Sequence, residues 1–220
     1  MRAVIVANGE IENSERLCLL WGKADLRLAA DGGAANARRW LGLTPHALIG
    51  DLDSLDEQTH AWCEAAGVET IQYPRAKDKT DLELALECAL ARGASEITLL
   101  GALGGRFDQT MANVLLLVKV AEMRIPARIA GDRFDAWVAW ECAEVNGRIG
   151  DTVSLIPLTP QVNGIVTRGL LYPLHQETLW LGSARGVSNE LTDACAEVSF
   201  EEGILLVVHL LSQQYGEDER

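Results

Sequence analysis

The sequence predicts an α/β protein with an N-terminal domain built on a parallel sheet and a smaller C-terminal domain made only of β-strands. Over the first two-thirds of the chain, short apolar runs alternate with helical patterns. In the last third, strand-like runs are separated by Gly, Pro and Asn, and no helical pattern is convincing. The length of 220 residues suits a domain of average size with a smaller partner. We therefore expect a Rossmann-like first domain and a sandwich-like or barrel-like second domain.

The first domain contains five predicted strands and four predicted helices. The strands are AVIVAN (3–8), DLRLAAD (25–31), HALIGD (46–51), VETIQYP (68–74) and SEITLLGAL (95–103). Three helices are NARRWLGL (36–43), EQTHAWCEAAG (57–67) and TDLELALECALARG (80–93), the last with a capping box formed by Thr80 and Glu83. A fourth runs from about Asp108 and ends before Pro126. Strands that alternate with helices are typical of parallel βαβ units.

The second domain is predicted as a small antiparallel sandwich or barrel. Its strand-like runs are DTVSLIPL (151–158), GIVTRGLLY (164–172), ETLWLG (177–182), AEVSF (196–200) and GILLVVHLL (203–211). We place the domains at residues 1–142 and 143–220, with ARIAG and AWVAWE as the connection between them. We expect disorder only at the ends of the chain, with the terminal GEDER frayed.

Charge and apolar patterning limit the possible partners. The formal net charge is −13, so the chain lacks the positive surface that binding to a phosphate backbone needs. The start, MRAVIVANGE, lacks the apolar core of a signal peptide, and no apolar run reaches the ~20 residues of a membrane span. We therefore expect a cytoplasmic protein that binds neither nucleic acid nor membrane.

The cysteines and histidines do not indicate a zinc site or a disulfide framework. The cysteines are odd in number, widely spaced and never in a Cys-x-x-Cys pair, and the histidines have no ligand spacing. We expect reduced thiols at all five positions: Cys18, Cys63, Cys88, Cys142 and Cys195.

Acidic side chains gather in the predicted loops between strands and helices. In a parallel sheet these loops all leave at the same edge, and ligands bind outside that edge. Carboxylates brought together there repel one another unless a cation holds them, which points to Mg²⁺. The aspartates in these loops are Asp31, Asp51, Asp53, Asp78, Asp81 and Asp108.

The segment GDLDS is the clearest candidate for metal binding. Asp51 and Asp53 lie two apart, so in an extended segment both carboxylates point to one side and are available to a single hard cation. A structural alternative is a turn in which Ser54 caps the next helix with Glu57 as its partner. Asp81 also has a structural alternative, because a carboxylate in the first turn of a helix is favoured by the helix dipole. The convergence of several acidic loops favours the metal site.

Glycine pairs and basic residues in the same loops suggest a phosphate-containing ligand. Gly32-Gly33 and Gly104-Gly105 allow close approach of the backbone to a phosphate. Positive charge is available from Arg75, Lys77, Lys79 and Arg106, although surface residues of this kind are usually only solvated. Acidic and basic groups at one edge fit phosphoryl transfer from Mg-ATP, in which catalysis consists mainly of positioning and charge stabilisation.

Several motifs resemble those of the thiamin pyrophosphokinase family. They are DGGAAN (31–36), IGDLDS (49–54), KDKTDLELAL (77–86) and GALGGRFDQTMANV (101–114), followed by SLIPL, GLLYPL, GVSNEL and GILLVV in the last third. They occur in the family's order and span nearly the whole chain. The resemblance implies transfer of the pyrophosphoryl group of ATP to the hydroxyl of thiamin, which gives thiamin diphosphate and AMP.

The resemblance also implies roles for individual residues. Mg²⁺ is expected on Asp51, Asp53 and Asp81, and catalysis is expected to use Asp53, Asp81, Arg106 and Asp108. ATP is expected to contact Asp31, Gly32, Lys77, Thr80, Arg106 and Asn113. Thiamin is expected to contact Tyr172, Ser188 and Asn189, with the Tyr172 ring stacked on the vitamin. Family members are homodimers with an active site shared between subunits.

Three other functions remain open at this level. A pyrophosphokinase acting on a hydroxymethyl pterin shares the acidic motifs, although GVSNEL favours thiamin. A Mg²⁺-dependent phosphohydrolase is suggested by Asp-x-Asp, but that motif normally follows the first strand and here follows the third. A non-catalytic nucleotide-binding or vitamin-binding regulator is disfavoured because carboxylates kept together without a metal repel one another.

Overall fold

The computed structural model describes residues 1–212. The chain forms two compact units, Met1–Asp132 and Arg133–Arg220. The predicted functional boundary between residues 142 and 143 stays a prediction, and the expected fraying of GEDER lies outside the described residues. Within the described part, no helix combines the length and apolar character that crossing a membrane requires.

The first unit is built on a parallel sheet, as the sequence predicts. The pairings within this unit give the order β6-β5-β1-β2-β3-β4, and every pair is parallel. β1 therefore lies between β2 and β5, so the chain switches direction across the sheet at this point. Its strands are β1 (Arg2–Val6), β2 (Leu26–Ala30), β3 (Ala47–Gly50), β4 (Glu69–Gln72), β5 (Glu96–Leu100) and β6 (Ala127–Ala130).

Five helices connect these strands, and one of them was not predicted. That helix, α1, is capped by Ser14, whose Oγ accepts a hydrogen bond from Leu17 N, and it buries Leu17 and Trp21. A π-helical turn, Ala37–Leu41, continues directly from α2. The helices are α1 (Glu15–Gly22), α2 (Gly33–Asn36), α3 (Glu57–Ala65), α4 (Asp81–Ala91) and α5 (Phe107–Glu122).

Two predicted helix caps have different outcomes. Thr80 caps α4, since its Oγ1 accepts a hydrogen bond from Glu83 N at 3.2 Å, as predicted. The expected cap at Ser54 is wrong, because α3 begins after Asp56, whose carboxylate accepts from Thr59 N at 2.8 Å. A carboxylate with two acceptor oxygens replaces the hydroxyl here and also binds Thr59 Oγ1.

Backbone hydrogen bonds join the loops after β1 and β5, at the point where the strand order reverses. Gly9 N donates to Gly101 O at 2.7 Å, and Glu10 N donates to Leu103 O at 2.8 Å. A Cβ on Gly9 would lie 2.4 Å from both carbonyl oxygens, so only glycine fits. Ligands of open α/β sheets bind at such a switch point, outside the carboxyl ends of the strands.

The second unit contains two antiparallel sheets of four strands each. Their orders are β12-β9-β14-β7 and β11-β10-β13-β8, and inward side chains of both sheets share one core that includes Val145, Val153, Ile165 and Val207. This confirms the predicted all-β region. Its strands are β7 (Phe134–Ala139), β8 (Cys142–Asn146), β9 (Thr152–Pro157), β10 (Gln161–Arg168), β11 (His175–Trp180), β12 (Asn189–Glu190), β13 (Cys195–Ser199) and β14 (Leu205–Leu210).

A buried carboxylate ties the end of β14 to the loop before β9. Asp151 Oδ2 lies 2.8 Å from His209 Nε2 and accepts from Arg148 N at 2.9 Å, while its Oδ1 accepts from Ser212 N at 2.9 Å. Burial alone would raise the pKa of Asp151, but these hydrogen bonds outweigh it and hold the pKa far below the ordinary range. The ionised carboxylate is therefore part of the structure of this unit.

Candidate functional site

Three carboxylates meet at the carboxyl edge of the parallel sheet. Ligand atoms of Asp31, Asp51 and Asp81 all lie within 4.8 Å of one another. Asp31 directly follows β2, Asp51 directly follows β3, and Asp81 is the first residue of α4. The convergence predicted from the loop positions is therefore present for these three side chains, which we call the acid cluster.

Gly50, the last residue of β3, makes room for the acid cluster. Its φ of 149° lies in a region that side-chain-bearing residues rarely adopt. A Cβ at this position would lie 3.0 Å from Asp81 Oδ1 and 3.1 Å from Asp31 Cβ. The sequence analysis did not single out Gly50, although a glycine between an apolar strand and an aspartate is a usable signal of close approach.

Lys77 supplies one positive charge to the acid cluster. Its Nζ lies 2.7 Å from Asp81 Oδ1 and 3.5 Å from Asp51 Oδ2, and its side chain is only 14% exposed. Burial alone would lower the pKa of Lys77, but the contacts with Asp81 and Asp51 outweigh it and raise the pKa. The backbone N–H of Asp53, together with Lys77, holds the pKa of Asp51 below its ordinary value. The lysine is thus charged and the carboxylate ionised at neutral pH.

The acid cluster fits a hard divalent cation. One ammonium group faces three carboxylates, so negative charge remains in excess. Asp31 Oδ1 is buried and has no hydrogen-bond partner among residues 1–212, and an ionised oxygen in that state is costly unless a cation contacts it. Carboxylate oxygens are the ligands that Mg²⁺ prefers in proteins.

Asp53 is not part of the acid cluster. Leu52 has a φ of 68°, so the chain turns between Asp51 and Asp53, and Asp53 N donates to Asp51 Oδ1 at 3.3 Å. The Asp53 carboxylate instead lies 3.5 Å from Arg75 Nε, at an exposed position. The extended geometry predicted for residues 51–53 is therefore wrong, because a left-handed leucine redirects the second aspartate.

Arg106 and Asp108 form an exposed ion pair at the start of α5. Arg106 Nη2 lies 2.5 Å from Asp108 Oδ2, and the two side chains are 72% and 66% exposed. The hydrogen bonds from Arg106 lower the pKa of Asp108. An exposed pair of this kind contributes little stability, so the guanidinium can exchange this carboxylate for another anion at small cost.

Asn113, also on α5, faces the loop after β5. Its Nδ2 donates to Ala102 O at 2.7 Å, whereas its buried Oδ1 has no partner within the described residues. One acceptor is therefore available at the switch-point loops. Gly32 also packs closely there, since a Cβ on it would lie 2.5 Å from the Asn8 side chain.

Two other charged candidates are engaged elsewhere or exposed. Lys79 Nζ lies 2.7 Å from Glu87 Oε2, and Asp78 is exposed and lies outside the acid cluster. Among the predicted basic residues, only Lys77 contacts the acid cluster, as far as residues 1–212 show.

In the second unit, the structure brings Tyr172, Ser188 and Asn189 together. Asn189 is buried, and both its amide atoms bind the backbone of Tyr172, a residue that is 64% exposed. Ser188 has a φ of 60°, and its N donates to Ser154 Oγ at 3.0 Å. Tyr172 is therefore exposed and is not packed in the core of this unit.

Comparison with known proteins covers both units. Residues 17–129 match a family model described as thiamin pyrophosphokinase, catalytic domain, and residues 143–205 match one described as thiamin pyrophosphokinase, vitamin B1 binding domain. The chain is 32% identical over 170 residues to the thiamine pyrophosphokinase of Bacillus subtilis (strain 168), an alignment covering 76% of this chain and 79% of that protein.

Solved structures agree with these matches. A crystal structure of thiamine pyrophosphokinase from Bacillus subtilis superimposes with a TM-score of 0.85 and 28% identity, covering 97% of this chain and 100% of that one. A crystal structure of thiamin pyrophosphokinase from Geobacillus thermodenitrificans gives 0.84 and 30%, covering 97% and 99%. These matches do not favour a pterin pyrophosphokinase, a phosphohydrolase or a non-catalytic regulator. The chain belongs to the thiamin pyrophosphokinase family.

Proposed function

We propose that this chain transfers the pyrophosphoryl group of ATP to the hydroxyl group of thiamin. The hydroxyl oxygen forms a bond to the β-phosphorus, the bond between that phosphorus and the oxygen bridging to the α-phosphorus breaks, and the hydroxyl proton is released. The products are thiamin diphosphate and AMP. Family membership supports the reaction, and the observation that carries it is the convergence of Asp31, Asp51 and Asp81 at the sheet edge.

We propose that the loops of the first unit bind ATP and Mg²⁺. The family resemblance assigns Mg²⁺ to Asp51, Asp53 and Asp81. Because Asp53 lies outside the acid cluster, we propose that Asp31, Asp51 and Asp81 hold the cation. When bound, Mg²⁺ neutralises phosphate charge and polarises the transferred group. ATP contacts are assigned to Asp31, Gly32, Lys77, Thr80, Arg106 and Asn113.

The chain's own groups then perform the positioning and the charge stabilisation. The Arg106 guanidinium leaves Asp108 and donates charge-assisted hydrogen bonds to phosphate oxygens. Lys77, held between Asp51 and Asp81, provides a second cation near the polyphosphate. A carboxylate beside the substrate accepts the hydroxyl proton, and Asp53, Asp81 and Asp108 are the candidates. Transfer of this kind depends mainly on alignment of the reacting oxygen and phosphorus.

Thiamin binding is assigned to Tyr172, Ser188 and Asn189. An exposed aromatic ring can stack on the cationic thiazolium or on the pyrimidine of the vitamin, which is worth about 1–2 kcal/mol when the contact is desolvated. We also propose a homodimer whose subunits share the active site, on the family resemblance alone. The cytoplasmic location expected from the sequence stays a prediction.

Product analysis tests the proposed function. Purified protein is incubated with thiamin, ATP and Mg²⁺, and AMP and thiamin diphosphate are followed by chromatography. Asp51→Asn should abolish both products. The matched control Asp25→Asn, directly before β2 and paired with Arg2, should not. Formation of ADP or free phosphate instead of AMP, or binding of thiamin without any product, would overturn the proposal.

A further inference from the structure

A single buried side chain holds both backbone groups of Tyr172. Tyr172 N donates to Asn189 Oδ1 at 2.9 Å, and Asn189 Nδ2 donates to Tyr172 O at 2.7 Å. Asn189 is only 8% exposed, whereas Tyr172 is largely exposed to solvent. The asparagine therefore fixes the backbone from which the ring projects.

The Asn189 side chain continues a short ladder between two segments of the second unit. On one side of Tyr172, Leu171 N donates to Glu190 O at 2.9 Å. On the other side is Pro173, which has no N–H to donate. The two hydrogen bonds to Asn189 satisfy the Tyr172 backbone where the strand-to-strand ladder ends.

The far end of the Tyr172 segment is also fixed. Leu174 N donates to Thr167 Oγ1 at 2.8 Å, and Thr167 N donates to Leu174 O at 3.0 Å. The two side chains that hold this segment, Asn189 and Thr167, are both buried. The exposed ring thus projects from a short segment that is held at both ends.

The hydrogen-bonding capacity of Asn189 leaves little for a ligand. The amide oxygen of an asparagine accepts two hydrogen bonds, and its amide nitrogen donates two. The oxygen already accepts from Tyr172 N and from Glu190 N, the latter at 3.0 Å, and the nitrogen donates to Tyr172 O. Contact with thiamin through the oxygen would require it to give up one of these partners, which is costly. Only the second N–H is left for a ligand, on a residue that is 8% exposed.

We propose that Asn189 is a positioning residue that acts on thiamin through Tyr172 and does not itself contact the vitamin. This inference rests on the proposed function and revises the role that the family resemblance assigns to Asn189. A ring on a backbone that is already ordered loses less conformational freedom when it stacks on a ligand. The two hydrogen bonds between Asn189 and the Tyr172 backbone, which we call the clamp, therefore lower the cost of binding.

A double-mutant cycle tests whether Asn189 acts through Tyr172. The KM for thiamin and the KM for ATP are measured for the wild type, Asn189→Ala, Tyr172→Ala and the double variant. We expect each single substitution to raise the thiamin KM about 10-fold, the double variant to be within about 2-fold of Tyr172→Ala, and the ATP KM to be unchanged. Effects that multiply in the double variant would mean that Asn189 contacts thiamin directly and would overturn the inference.

Hydrogen exchange tests the clamp independently of any activity. In ligand-free protein, Asn189→Ala should speed exchange in the peptide containing residues 169–174. The matched control is Asn163→Ala, which removes another hydrogen-bonded amide in this unit, one that binds Glu202 and Thr178, and it should leave that peptide unchanged. Unchanged exchange in Asn189→Ala would overturn the clamp.

The outcomes separate this inference from the proposed function. A wild type that forms no thiamin diphosphate would overturn the proposed function. The hydrogen-exchange experiment would still test the clamp, because it does not depend on activity. If Asn189→Ala does not fold, Asn189→Asp takes its place in both experiments, because it keeps an acceptor for Tyr172 N but loses the donor to Tyr172 O. Faster exchange and the same non-additive cycle are expected from it.

Discussion

The two candidate ligand regions differ in how their polar groups are satisfied. In the acid cluster, Asp31, Asp51 and Asp81 face one lysine, and Asp31 Oδ1 has no partner within residues 1–212. In the second unit, the amide of Asn189 and the backbone of Tyr172 satisfy each other. The first region is therefore electrostatically incomplete until ions and nucleotide bind, whereas the second is assembled beforehand. Substitutions should accordingly affect chemistry in the first region and affinity or stability in the second.

The largest effect is expected from removing a charge in the acid cluster. Asp81→Asn should lower kcat/KM by about 10³-fold, because it removes a carboxylate facing the cation and leaves Lys77 without its closest partner. The measurement is the rate of AMP formation as a function of Mg²⁺ concentration. A loss below about tenfold at saturating Mg²⁺ would contradict the assigned role.

Lys77→Met should separate the two roles of the lysine. Activity should fall by about 10²-fold, because a cation near the polyphosphate is lost. Binding of Mn²⁺ to the ligand-free protein should become tighter, since the ammonium no longer occupies Asp51 and Asp81. Weaker Mn²⁺ binding, measured by electron paramagnetic resonance, would show that the lysine supports the metal site rather than competing for it.

Asp151→Asn tests how much the buried, ionised carboxylate stabilises the second unit. The loss of an ionised acceptor for Arg148 N, Ser212 N and His209 should lower the free energy of unfolding by about 2–3 kcal/mol at pH 7. The pKa of Asp151 is depressed in the folded state, so its stabilisation is full above about pH 4 and declines as pH falls below that value. The difference from wild type in urea unfolding should therefore shrink on acidification.

The control for this prediction is Asp193→Asn, an exposed position in the same unit whose carboxylate accepts from the neighbouring Ala194 N. It should change the unfolding free energy by less than about 0.5 kcal/mol. A pH-independent difference for Asp151→Asn would contradict the role of its ionised carboxylate.

The smallest effect is expected at the cap of α4. Thr80→Ala should cost about 1 kcal/mol of stability through loss of the hydrogen bond from Glu83 N, and Thr80→Ser should restore it. Thermal unfolding measures this effect, and the KM for ATP measures the proposed nucleotide contact. If the KM for ATP does not change in Thr80→Ala, Thr80 is only a cap.

The sequence predicted features that depend on periodicity and missed those that depend on local backbone conformation. Alternating strands and helices were sufficient for the parallel sheet and for the antiparallel region. Helix α1 was missed because its apolar residues form an unbroken run at positions 17–21, which shows no helical periodicity. β12 has only two residues and carries no pattern at all.

For the candidate site, loop position predicted that aspartates converge but not which aspartates form the acid cluster. Nothing in the sequence indicates that Leu52 adopts a positive φ, which is uncommon for such a residue and moves Asp53 away from the acid cluster. The contact between Asn189 and Tyr172 joins residues 17 apart through the backbone, so residue type alone does not predict it. Tertiary packing decides both features.

Metal binding to the ligand-free protein tests the central claim most directly. Mn²⁺ binding is measured by electron paramagnetic resonance for the wild type, Asp31→Asn and Asp53→Asn. We predict that the wild type and Asp53→Asn bind the ion, because the acid cluster is intact in both, and that Asp31→Asn binds it at least about tenfold more weakly because the unpartnered buried oxygen loses its charge. Equal binding by Asp31→Asn and the wild type would contradict the claim that the acid cluster is the cation site.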